Sequence, residues 1–298
     1  MFTPTIKARQ VLNTQSTLGE GPLWDPERNA FWWIDIIDKK LHLFDPATRD
    51  NRTWQLNQMP GTVVTHQAGG LVLALENGFS LFDPDTEEIK FLGDPESKLP
   101  ENRFNDGKCD PQGRFWAGTM RTENHMEQFT GSLYSLDQQG EIIKRLGSKI
   151  GVSNGIVWSS DSRFMYFIDS PTRQIFKFDY EPVTGEIGNR QVVFEAPEGF
   201  GFPDGMAIDS DDHLWVAFWG GSCVAKIDPS DGSIHERVIV PVTAPTACAF
   251  GGSNMNQLLI TTASLGLDQE AKANQPLAGD LFIAEVPAKG VPPFQYAG

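Results

Sequence analysis

Short apolar runs punctuate the chain at intervals of 40 to 50 residues: AFWWIDI, GLVLAL, GRFWAGTM, RFMYFIDS, HLWVAF and QLLITT. Each is rich in aromatic and β-branched residues and too short for an amphipathic helix, so each predicts a buried strand. A second run follows each of them: LHLFDP, FSLFDP, SLYSLD, QIFKFD, VAKIDP and LFIAEV. Each of these ends on an acid, and the first five lead straight into turn sequence such as DPATRD or DPSDGS. After five of the turns comes one more strand-like segment: RTWQL, EIKFL, EIIKRL, QVVFEA and HERVIV. The sixth unit lacks one, while a spare segment, IKARQVLN (6–13), stands at the start of the chain. The best helical candidate, 267–275, is short and carries no apolar stripe.

Units of this length, each a small sheet, cannot bury their own faces and must stack around an axis. The pattern predicts an all-β fold, a six-bladed β-propeller with four strands per blade, its last blade closed by the N-terminal strand. Glycines and prolines are spread along the whole chain without a linker, so residues 1–298 read as one propeller domain. A sandwich or jelly roll does not account for a sixfold repeat.

Aligning the units on the start of their first strand brings one position into register. It holds Glu20, Thr62, Asn105, Asn154, Asp204 and Thr246, at spacings of 42, 43, 49, 50 and 42 residues. All six carry a side-chain oxygen. Asn154-Gly155 and Asp204-Gly205 also match turn chemistry. That reading does not explain Glu20, Thr62 or Thr246 at the same register. In a propeller, equivalent positions just before the innermost strand form a ring at the mouth of the central channel. Carboxylates and amides converging there repel and desolvate one another unless a cation offsets them. Hard oxygen donors suit Ca²⁺ first, with Mg²⁺ or Mn²⁺ as alternatives, rather than a thiolate-rich zinc site. The five histidines show no HExxH or HxxxH spacing and are not ligand candidates.

Composition narrows the partners. A net charge of −15 argues against nucleic acid and against anionic membranes. No run reaches the length of a membrane span, and the first residues lack the apolar stretch of a signal peptide. Cys109, Cys223 and Cys248 are odd in number and show no paired spacing. They read as core thiols in a reducing, cytoplasmic compartment. The spacing is silent on oligomeric state.

The segments LGEGPLWD, NRFNDGKCDPQGRFWAGTM, SNGIVWS, FPDGMAID and TACAFGG resemble the gluconolactonase / regucalcin (senescence marker protein) / luciferin-regenerating enzyme family, in order, from about Leu18 to LAGDLF near residue 282. The resemblance implies a six-bladed propeller with one divalent metal at the channel mouth and hydrolysis of sugar lactones to aldonic acids. It implies Glu20 (of LGEGP), Asn154 (of SNG) and Asp204 (of PDG) as metal ligands, and Arg103 and Asn105 (of RFND) as substrate contacts. An acid shortly after GTM takes a further substrate role in some members; here that is Glu123. The metal implied is Ca²⁺, Zn²⁺, Mn²⁺, Mg²⁺ or Fe²⁺. Asp204 is also the candidate general base. Asp106 and Asp110 read as turn-shaping residues, and Phe200 and Phe202 as packing at the channel mouth. The RTENHMEQFTG insertion reads as an exposed loop, His125 and Met126 being candidates for a lid. Two other readings of the scaffold are a calcium-binding or scaffold propeller without catalysis and a phosphotriesterase-like hydrolase.

Overall fold

The computed structural model describes residues 3–122 and 128–298. The chain forms a six-bladed β-propeller in which every strand-like run of the six repeated units becomes a strand. The first two strands, β1 (Thr5–Lys7) and β2 (Arg9–Leu12), serve other blades. Blade 1 is β3–β6 (Gly19–Asp25, Ala30–Asp35, Lys40–Phe44, Asn51–Gln55). Blade 2 is β7–β10 (Pro60–Thr65, Leu71–Leu75, Gly78–Phe82, Ile89–Gly93). Blade 3 is β11–β14 (Asn102–Cys109, Phe115–Arg121, Gly131–Leu136, Ile142–Ile150). Blade 4 is β15–β18 (Ser153–Trp158, Phe164–Asp169, Gln174–Glu181, Glu186–Glu195). Blade 5 is β19–β22 (Phe202–Ile208, Leu214–Trp219, Cys223–Ile227, Ile234–Ile239). Blade 6 is β23–β25 (Pro245–Gly251, Gln257–Thr262, Leu281–Glu285), with the one-and-a-half-turn helix α1 (Gln269–Asn274) inserted before its third strand.

Closure differs from the expectation in one respect. IKARQVLN does not form one strand. It breaks at Ala8, whose N–H donates to Ile239 O. Beyond the break, β2 pairs antiparallel with β25 and supplies the fourth strand of blade 6. Before it, β1 runs parallel to β22 and gives blade 5 a fifth strand. The physical reason is the open edge of β22, whose unpaired backbone groups β1 satisfies. The N-terminus therefore fastens two blades.

Aromatic and aliphatic side chains fill the seams between blades. Trp54 meets Phe82 edge-on across the blade 1–2 seam, Phe79 meets Phe104 and Phe115 across the next, and Trp116 meets Trp158 across the third. Val157 and Ile168 pack with Met206 and Val216 between blades 4 and 5, and Trp215 packs on Phe250 between blades 5 and 6. The three cysteines are free and buried.

Acids hold the turns at the far ends of the inner strands. The Asp25, Asp110 and Asp209 carboxylates each accept backbone N–H groups of their own turn and the indole N–H of Trp32, Trp116 or Trp215 on the next strand. Asp110 also takes Arg114 and the Tyr180 hydroxyl at 2.8 and 2.7 Å. The acids that end the third strands, Asp45, Asp83, Asp137 and Asp228, accept N–H groups two residues on and thereby build the next turn.

The C-terminal segment crosses the same far end. Gly290 N–H donates to Met255 O and Val291 N–H to Ile208 O. The segment then passes to the opposite blades, where Tyr296 N–H donates to Thr65 O and Ala297 N–H to Gly113 O. Val291, Pro292, Pro293 and Phe294 cover the ends of the inner strands, leaving a cavity of about 70 Å³ beneath them. No helix among the described residues is long and apolar enough to cross a membrane.

Asp110→Ala removes one partner of a buried ion pair, leaving the Arg114 charge without its carboxylate and the Trp116 indole N–H without its acceptor. Urea unfolding should show a loss of about 3–5 kcal/mol. Asp45→Ala, on an exposed turn, should cost less than about 1 kcal/mol.

Candidate metal centre and active-site cavity

The ring register coincides with a β-bulge in every inner strand. Pairing to the second strand shifts between Glu20 and Leu23, Pro60 and Thr62, Phe104 and Gly107, Asn154 and Ile156, Pro203 and Met206, and Pro245 and Ala247. A bulge bends the strand and re-aims the side chain beside it, so the six equivalent side chains leave the regular pleat. Asn154-Gly155 is thus mid-strand and not a turn. Its glycine is required by crowding: a Cβ on Gly155 would sit 2.8 Å from Asp204 O and 2.7 Å from Met206 Cγ. Gly205 is crowded in the same way by Ala247.

The six positions divide into two groups. Thr62 Oγ1 donates to Gly107 O at 2.9 Å and Thr246 Oγ1 to Gly19 O at 2.5 Å. Both threonines therefore tie inner strands together. Glu20, Asn105, Asn154 and Asp204 instead line one cavity of about 340 Å³ at the axis, together with Arg103. All five are buried.

A directed chain of hydrogen bonds fixes the amides. Arg103 Nη1 donates to Asn105 Oδ1 (2.8 Å), Asn105 Nδ2 to Asn154 Oδ1 (2.9 Å), Asn154 Nδ2 to Ser170 Oγ (2.8 Å) and Ser170 Oγ to Pro203 O (2.6 Å). Asn105 Nδ2 also donates to Ser153 O. Both N–H bonds of Asn105 are thereby committed, and toward a ligand it offers only a carbonyl lone pair. Asn154 Oδ1 likewise keeps one lone pair free of the chain.

The carboxylates strain against one another. Burial first, and then the Asp106 carboxylate, push the Glu20 carboxyl up to about 8, against smaller lowering by Gly21 N–H, Arg103 and Lys108. Burial, Glu20 and Asp106 hold Asp204 well above the usual carboxylate range. Asp204 Oδ1 is buried and accepts no hydrogen bond. Two protonated or repelling acids with an orphaned buried oxygen are the electrostatic signature of a cation site, and the all-oxygen donor set fits a hard divalent ion.

The structure adds residues that the sequence reading missed. Asp106 is not merely a turn residue. The bulge opposite Gly118 spans two residues of β11, and Asp106 follows Asn105 into the channel. Its Oδ1 accepts Gly107 N–H and its buried Oδ2 has no partner. Two consecutive polar residues before Gly107 were the available signal. Lys108, deeper on the same strand, crosses the channel to donate to Met206 O at 2.9 Å. Ser170, at the end of the amide chain, had no sequence signal. Glu123 lies outside the described residues, as do His125 and Met126.

Among the described residues, the cavity wall above the polar floor is apolar. Met120, Val152 and Pro171 stand on one arc, and Phe202, Trp219, Leu265 and Leu18 on the other. The second strands set this collar: Asp35 accepts the N–H of Leu18, and Asp169 that of Val152. Phe202 is 44% exposed and is not simply packing at the mouth, whereas Phe200 is packed edge-on against Phe218.

Among the described residues, Asp209, Asp211 and His213 form one further group spaced for a metal ion. It lies on the far turn of blade 5. There Asp209 already accepts Asp211 N–H, His213 N–H, the Trp215 indole and the Lys226 ammonium. A cation there would have to displace Lys226, so the axial site fits an ion better.

The structure is a six-bladed β-propeller with an acidic, amide-lined cavity at its axis. Comparison with known proteins shows its family. Residues 18–264 match the family model described as the SMP-30/Gluconolactonase/LRE-like region, and the chain belongs to that family. It is 36% identical over 286 residues to YvrE of Bacillus subtilis (strain 168), a protein provisionally named a sugar lactone lactonase, covering 96% of this chain and 97% of that one. It is 36% identical over 295 residues to regucalcin of Danio rerio, covering 99% of each. The crystal structure of a calcium-binding protein, regucalcin, from Agrobacterium tumefaciens superposes with a TM-score of 0.94 at 30% identity over the whole of both chains.

The Glu20 carboxyl sets a pH dependence of stability in metal-free protein. Its folded value is raised, so its contribution to stability is fully present below about 4.5 and is lost as pH climbs through about 8. Urea unfolding in chelator should show stability declining across that window, and Glu20→Gln should flatten the decline.

Proposed function

We propose that the protein hydrolyses sugar lactones, opening an aldono-lactone to its aldonic acid, at the axial cavity and with a divalent cation. The observation that carries this reading is the orphaned, buried Asp204 Oδ1 beside Glu20 at the floor of an open cavity. Glu20, Asn154 and Asp204 would hold the cation through oxygen, Ca²⁺ being the first candidate and Zn²⁺, Mn²⁺, Mg²⁺ and Fe²⁺ the others. Such an ion supplies Lewis-acid polarisation of a carbonyl and acidification of water.

The chain's own groups do the rest. Arg103 presents a guanidinium at the floor, its orientation fixed by Phe104 O at 2.9 Å and by Asn105 Oδ1. It donates to a lactone hydroxyl and to the carboxylate formed in the product. Asn105 Oδ1 accepts from a second hydroxyl. The Asp204 carboxylate takes a proton from water as that water's oxygen adds to the carbonyl carbon. The ring C–O bond then breaks, and the proton passes to the departing ring oxygen, which leaves as a hydroxyl. The net negative charge of the chain does not oppose entry of a neutral lactone and favours exit of the anion.

Relatives named lactonase favour this reading over a phosphotriesterase. The Agrobacterium protein is named a calcium-binding protein, and that favours a non-catalytic reading as the alternative. Acid release from a panel of aldono-lactones, with each metal and with chelator, separates them. Turnover that chelator abolishes is expected, and Arg103→Ala should lower kcat/KM about 10–200-fold, the worth of a charged hydrogen bond. Calorimetric binding of Ca²⁺ without turnover of any lactone would leave the calcium-binding reading. Gly155→Ala should weaken cation affinity about 10–100-fold by displacing the Asp204 backbone while removing no donor atom; calorimetric titration checks it.

A further inference from the structure

The two halves of the cavity make opposite demands on a ligand. Among the described residues, every charged or amide group that lines it sits on the floor: Glu20, Arg103, Asn105, Asn154 and Asp204. On blades 5, 6 and 1, the wall above is Phe202, Trp219, Leu265 and Leu18. Phe202 is paired with Trp219 across β19 and β20 and lies two residues before Asp204, about 7 Å along the strand. A six-membered lactone with its carbonyl at the floor spans that height with its exocyclic carbon. An aldono-lactone with a full set of hydroxyls would put the terminal one against this wall, where it gives up water to side chains that offer no hydrogen bond: Phe202, Leu265 and Leu18. A methyl or alkyl group at the same place buries apolar surface on both sides.

We propose that the site is built for an amphiphilic lactone, with hydroxyls confined to the carbonyl end and an apolar group, as in 6-deoxyhexonolactones, at the other. The proposal rests on the lactone hydrolysis inferred above. It assigns Phe202 and Leu265 as specificity-determining residues. Both are accessible: Phe202 is 44% exposed, with Arg173 stacked 5.2 Å from its ring centre, and Leu265 is half-buried on the loop after β24. Phe202 lies outside the blade cores, whereas Leu265 packs on the rim of the core that runs through blades 1 to 3, so Phe202→Ser carries the test should Leu265→Asn lose stability.

The test compares matched hexonolactone pairs, each with and without the 6-hydroxyl, in the gluco, galacto and manno series. The full-length protein is loaded with its best-supporting metal, and acid release is followed. A site of this kind should favour the 6-deoxy member by about tenfold or more in kcat/KM, mainly through KM, because one group in an apolar pocket adds binding shared by ground and transition states. Phe202→Ser and Leu265→Asn, checked for an unchanged melting temperature, should each draw that ratio toward one. Equal or better turnover of the fully hydroxylated members in the wild type overturns the proposal while leaving lactone hydrolysis standing. So does a preference for deoxy members that neither variant alters. Turnover of no lactone at all overturns both readings together.

Discussion

Mutual repulsion of buried carboxylates is the constraint around which the axis is organised. Two like charges about 5 Å apart repel by about 3 kcal/mol at an effective dielectric of about 20. That is a sizeable part of the net stability of an ordinary domain, about 5–15 kcal/mol. Here three such groups, Glu20, Asp106 and Asp204, influence one another inside the channel. Arg103 and Lys108 lower Glu20, but by less than burial and Asp106 raise it. Burial is the larger cause, so the two cations only partly offset what the channel does to this carboxyl. The buried carboxylate oxygens Asp106 Oδ2 and Asp204 Oδ1 have no hydrogen-bond partner.

The scaffold withstands this because its stability is generated elsewhere. Blade seams are closed by aromatic pairs, the far turns by buried acids on indoles, and the ring by β1 and β2 fastening blades 5 and 6. Inner strands crowd at the axis so closely that Gly155 and Gly205 have no room for a side chain. That crowding brings side chains from different blades into hydrogen-bonding distance, as in the chain from Arg103 to Pro203 O. Precision at the floor is thus a by-product of how the propeller closes.

Much of this was legible from spacing alone. The recurrence of strand runs carried the architecture, because each blade repeats the same burial problem. One oxygen-bearing residue per repeat marked the floor. What spacing could not show was direction. Thr62 and Thr246 share the register but turn to backbone carbonyls, because a hydroxyl is short enough to be satisfied locally. Asp106 escaped notice because the offset that moves it to the axis exists only once β11 is paired with β12. The break at Ala8 depends on the open edge of β22, which is remote in sequence. The collar was invisible for a similar reason: Leu18, Phe202 and Leu265 come from three blades with no common motif.

The tail laid over the far end makes the two faces of the wheel unequal. Val291–Phe294 cover the ends of the inner strands there, and Lys108 bridges the channel to Met206 O, whereas the larger cavity with its polar floor opens on the other face. The face that carries Phe202 and Leu265 is thus the one that gives access to Glu20 and Asp204, and the tail face is left to scaffolding.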